Sequence, residues 1–154
     1  MRKIIYFLVS VFLITSAFGE ENIEENFLNF KKSIEDFNKS LENVNLSFEN
    51  YNNWYKDFKP KIDDFKKSVI EYKDKEFFKN LSGAIDKFSL VWTLLKQAND
   101  AYLEYTEFIT GSSDVGYAHK WKQVYNLKMN EAKETFKDAI DTFNKAYSLF
   151  LEEK

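Results

Sequence analysis

An all-α fold is what this sequence predicts: an antiparallel bundle of three to four long amphipathic helices with heptad, coiled-coil-like packing. Seven heptads run in one phase from Phe27 to Lys75, and all 14 of their first and fourth places are apolar or aromatic, from Phe27 and Phe30 to Val69 and Tyr72. That three-then-four spacing sets side chains along one stripe of a helix. Near the C-terminus a second seven-residue repeat alternates Ala132, Ala139 and Ala146 with Phe136, Phe143 and Phe150. A content of 44% hydrophobic and 18% aromatic residues is too rich for disorder, and it supplies one domain with a core.

Residues 1–19 read as a secretory signal peptide, with residues 20–154 as the bundle domain. Arg2 and Lys3 lead an apolar run from Ile4 to Ile14, and Ala17-Phe18-Gly19 places small residues where a signal peptidase reads them. The apolar run is well short of the roughly 20 residues that span a bilayer. Export with cleavage is therefore expected, to the periplasm, the outer-membrane surface or beyond. The chain has no cysteine, hence no disulfide framework, no thiol nucleophile and no lipidated N-terminal cysteine.

Removing residues 1–19 takes away Arg2 and Lys3 and no acid, leaving 20 basic against 25 acidic side chains, a net charge of −5. Such a surface repels phosphate backbones, so no nucleic-acid partner is expected.

The first helix should begin soon after Glu20, where Glu20, Glu21, Glu24 and Glu25 suit the partial positive charge of a helix start. Outside the stripe, Asn38, Asn45 and Asn52 take the fifth place and Ser33, Ser40 and Ser47 the seventh. A two-stranded zipper carries charges there, so Asn and Ser point to a broad half-buried face in a bundle. Pro60 is the single proline. Proline inside a helix removes a backbone bond and clashes with the preceding turn, at a cost of about 3 kcal/mol, so a strong bend or a chain reversal is expected at Pro60.

The next helix follows Lys73-Asp74-Lys75, with Ser82-Gly83 as a possible joint. Its stripe is Leu81, Ile85, Phe88, Trp92, Leu95, Ala98, Tyr102, Tyr105 and Ile109, and Leu90, Val91, Leu94, Leu103 and Phe108 add bulk beside it. A helix apolar on more than one side touches more than one neighbour, which makes this the central element. The stretch Thr110–Tyr117 holds Gly111 and Gly116 and reads as a loop, with Ser112, Ser113 and Asp114 ready to cap the last helix, about Ala118 to Glu152. The alanines of that last helix are expected to face the Phe-rich fourth places of the first, large against small.

Catalytic chemistry finds no foothold. His119 is the single histidine, with neither a cysteine nor a second histidine to share a metal. No serine has another base to activate it, and there is no phosphate-binding glycine loop or calcium loop. We expect no catalytic residue, no cofactor and no metal, and so no enzyme. Trp54 occupies a seventh place and Leu46 a sixth, where the repeat is otherwise polar. With Tyr51 and Tyr55 at the edge they form a candidate interaction patch, against the plainer alternative of contact with another helix. The loop residues Ser112, Ser113, Asp114 and Tyr117 form a second candidate.

The Lys/Asn/Phe/Glu bias of stretches such as IEDFNKSLENVNLSFENYNNW, after the leader MRKIIYFLVSVFLITSAFG, resembles the small exported all-helical envelope and surface antigens of Lyme-disease spirochaetes (Borrelia). Many of those are lipidated and bind host factors; this chain departs from them in having no cysteine. The resemblance transfers no functional residue. An exported, motif-free, aromatic-rich helical chain is expected to be a non-enzymatic binding protein with a protein partner in the envelope or outside the cell. The alternative is a bundle that binds lipid or another apolar ligand, with peripheral membrane contact. Sequence leaves the oligomeric state open.

Overall fold

The computed structural model describes residues 22–42, 44–111 and 115–154. Among these the chain is helical with no strand. Residues 22–40 form α1; α2 is Phe48–Ser68, followed by a 3₁₀ turn at Ile70–Tyr72; α3 is Glu76–Gly111 and α4 is Val115–Glu153.

Aromatic contacts fix the direction of every helix. Phe27 near the start of α1 meets Phe65 near the end of α2 (ring centroids 5.2 Å), while Phe37 meets Tyr51 (5.8 Å). Phe48 reaches Trp92 of α3 at 5.7 Å, and Trp92 Nε1 donates to Asn52 Oδ1 at 2.9 Å. Phe27 also stacks on Phe150, and Phe37 meets Phe136, both of α4. Each helix thus runs antiparallel to its neighbours in sequence, and α4 returns antiparallel to α1. This is the all-α antiparallel bundle that the heptads predict.

The core follows the repeat. Phe27, Phe30, Ile34, Phe37, Tyr51, Tyr55, Phe58, Ile62, Phe65 and Val69 are all buried, as the first and fourth places require. No polar or charged residue is buried among those described. Stability therefore rests on apolar burial and edge-to-face ring packing.

Two expectations about α1 and α2 are corrected. Pro60 neither breaks nor reverses the chain but sits inside α2 on its exposed face. There the Lys56 carbonyl, which would otherwise accept a bond from residue 60, looks to water, so the missing donor is tolerated. The reversal comes earlier, within 41–47. Ser47 caps α2 in a reciprocal box: its hydroxyl accepts from the Asn50 amide (3.3 Å) and its own amide donates to Asn50 Oδ1 (2.9 Å). The Asn50 side chain also donates to the Asn45 carbonyl at 2.7 Å. These side-chain bonds offer the backbone a better arrangement than a continued helix. As a result Val44, a fourth-place residue, is exposed, and Leu46, outside the stripe, is buried.

Ser82-Gly83 makes no joint, since α3 is continuous through it. Phe136, Phe143 and Phe150 of α4 meet Phe37 and Phe27 of α1, and Phe136 and Phe150 also meet Phe88 and Phe77 of α3. Ala132, Ala139 and Ala146 are fully buried. The register set by the Lys87–Asp138 ion pair (2.8 Å) and the Tyr102–Tyr125 contact (5.6 Å) places them across from Leu81–Leu95 of α3.

Helix length decides the outline. With 36 and 39 residues, α3 and α4 are roughly 54 and 58 Å long, against about 31 Å for the 21 residues of α2. The main buried cluster stops at Leu95 on α3 and starts at Ala132 on α4. Beyond those points the pair continues as an antiparallel two-helix arm.

Candidate interaction surface

The patch expected from sequence is interior. Leu46, Tyr51 and Tyr55 are buried, and Trp54 is half-buried between Phe37 (4.7 Å) and Phe58 (4.4 Å), with its Nε1 donating to Ser33 Oγ at 3.1 Å. The cause is the reversal at 41–47. It folds α2 back on α1, so the seventh place that faces water on a lone helix faces Ser33 and Phe37 here.

The two tyrosines serve packing. The Tyr51 hydroxyl donates to the Phe88 carbonyl at 2.8 Å, and the Tyr55 and Ser89 hydroxyls share a bond of 2.7 Å. Burial pushes both phenols above their ordinary pKa, Tyr51 very far, with the neighbouring Tyr55 adding to it. Both stay protonated as donors or packing groups, with no tendency to act as a base.

Ser112, Ser113 and Asp114 lie outside the described residues. Tyr117, the fourth member of that candidate, is exposed in the first turn of α4, where its ring stacks on Phe108 at 5.7 Å. His119 is exposed, with Nε2 at 3.2 Å from the Gln123 amide. Among the described residues no group of three or more His, Cys, Asp or Glu is placed to hold a metal ion. No helix among them is long and apolar enough to cross a membrane.

An open groove of about 750 Å³ separates α1 and α2 over Phe30, Phe58 and Phe65. Those rings are 3–7% exposed, so the groove offers a ligand little apolar area beneath a rim of mixed charge.

The arm is different. Small buried residues, Ala98 and Ala101 of α3 near its base and Ala118 of α4 near its tip, bring the helices together. Tyr102 meets Tyr125 across the pair, and Lys122 Nζ lies 5.9 Å from the Tyr105 ring centre. Yet Tyr102 (48%), Leu103 (56%), Ile109 (55%), Tyr117 (56%) and Leu127 (55%) stand open, half of the ten large apolar side chains exposed among the described residues. Helical spacing explains three of them. The row Phe88, Trp92, Leu95 points at α1 and α2 in the body, and steps of three and four carry that row on through Asn99, Tyr102/Leu103, Thr106 and Ile109. In the arm it has nothing over it. The stripe expected along α3 is therefore core only as far as Ala98, and its Tyr102 and Ile109 are surface.

Periodicity could not have located this site, because an uncovered stripe and a covered one have the same spacing. The one signal was relative length, two long apolar helices against shorter partners. No family model, no curated protein and no solved structure matches the chain.

Proposed function

We propose that this protein is a non-enzymatic, exported binding module whose α3/α4 arm engages a protein partner in the cell envelope or outside the cell. The observation that carries the reading is the run of open apolar side chains on the arm, on the face that α1 and α2 cover elsewhere. Exposed apolar clusters of this kind mark interaction surfaces. The leader-like residues 1–19 support export. The rings of the body pack on one another, with Phe27 alone meeting five others. A filled core favours a protein-binding surface over a bundle that encloses an apolar ligand.

The absence of cysteine makes the test clean, because a single introduced thiol can carry a photo-crosslinker. Leu103→Cys on the arm and Leu90→Cys on the body are both exposed sites, at 56% and 48%. In cells that make the protein, a crosslinked protein adduct is expected from position 103 and not from 90. Equal labelling from both positions, or none from 103, would refute the assignment.

A further inference from the structure

The arm sorts its charges by helix. Between Ala98 and Gly111, α3 carries Asp100, Glu104 and Glu107 and no lysine or arginine. Between Val115 and Asn130, α4 carries Lys120, Lys122 and Lys128, with His119, and no acid. In the body the rest of α3 and α4, like α1 and α2, mixes both signs. Taken alone, each arm helix loses by the sorting. Asp100 and Glu104 stand four residues apart and Glu104 and Glu107 three, spacings at which like charges repel along a helix. Acids near the end of α3 and bases near the start of α4 also oppose the helix dipoles.

What such sorting can gain lies across the pair. The antiparallel register fixed by the Tyr102–Tyr125 and Tyr105–Lys122 contacts brings Glu107 level with Lys120 and Glu104 close to the level of Lys122. Packed helices lie about 8–10 Å apart, near the Debye length of roughly 8 Å at physiological ionic strength. None of Asp100, Glu104, Glu107, Lys120 and Lys122 forms an ion pair among the described residues, so any attraction acts between helix faces through solvent. Apolar burial in the arm is slight: of its described residues only Ala98, Ala101 and Ala118 are buried.

We propose that the arm is an electrostatic clasp: its acidic and basic helices are held together by long-range attraction, and ionic strength sets how far they part. Trp121 lies half-buried in the row of Ala118 and Tyr125 that faces α3, so opening bares it together with Tyr105. The clasp works within one chain and needs no partner at the open face.

The test is amide exchange on the intact protein, read in 99–111 and 115–128 with 81–95 and 132–146 as the internal control. Raising NaCl from about 10 mM to about 1 M shortens the Debye length from roughly 30 to 3 Å. Exchange in the arm is expected to quicken about threefold or more, and that of the body to stay unchanged. Two charge variants separate the clasp from the stability of each helix by itself. E104K/E107K removes like-charge repulsion along α3 and suits its dipole, so a helix that stood alone would exchange more slowly. The clasp requires faster exchange, and it requires E104K/E107K/K120E/K122E to return to the wild-type rate or below. Slower or unchanged exchange in E104K/E107K, no recovery in the fourfold variant, an arm indifferent to salt, or a body that responds as strongly overturns the proposal.

Discussion

Tyr51 is the largest of the fully buried side chains, and its hydroxyl makes the bond to α3 that a phenylalanine could not. Tyr51→Phe should cost about 1 kcal/mol in denaturant unfolding, the usual net value of one buried hydrogen bond. It should also change the pH profile. Because burial raises the folded-state pKa of this phenol, its contribution is complete below the unfolded value near pH 10 and is lost as pH rises above it. Melting temperatures measured above pH 10 should therefore fall more steeply in the wild type than in Tyr51→Phe. The sequence already held the right answer here. Tyr51 and Tyr55 stand in stripe positions, and only the company of Leu46 and Trp54 suggested an exposed patch. Ala139 is a second such residue: fully buried in the core, it leaves no room for a ring. Ala139→Phe should destabilise the protein by roughly 1–3 kcal/mol, whereas the exposed Lys137→Ala should be nearly silent. Equal melting temperatures would misplace the seam.

In α2 the heptad pattern was a faithful guide to burial and a poor one to the turn. A reversal that uses residues 41–47 consumes one seven-residue repeat, so the apolar phase of α1 resumes in α2 without a slip. The chain hides its turn from any count of sevens. What did mark it was local chemistry, Asn45, Ser47 and Asn50 spaced to bond the backbone. Pro60 drew attention instead because its cost is large and well known, yet an exposed proline in a helix that is packed on its other side can be carried. Pro60→Ala restores a backbone donor and a better helix former while removing no buried surface. It should stabilise the protein by about 1–3 kcal/mol, read as a higher denaturant midpoint at unchanged slope.

The molecule is built unevenly along its length: four helices share a core in the body, and two proceed alone into the arm. Amide exchange should reflect this. Amides in 99–111 and 115–128 should lose protection well before those of 81–95 and 132–146, because few buried contacts hold them. Uniform protection along α3 would mean that the arm is covered in solution. The all-α class and the antiparallel order were legible from apolar periodicity. The arm was not, since the pattern records which face of a helix is apolar and not how far its neighbours reach.

Glu24 near the start of α1 and Lys154 at the close of α4 are joined at 2.8 Å, and Lys75 and Glu153 pair at 3.2 Å beside them. Both ends of the described chain therefore leave from the pole opposite the arm, with the 39 residues of α4, roughly 58 Å, in between. A bead, sensor chip or fluorescent tag attached after Lys154 would hold the protein upright, with the two-helix end aimed away from the support.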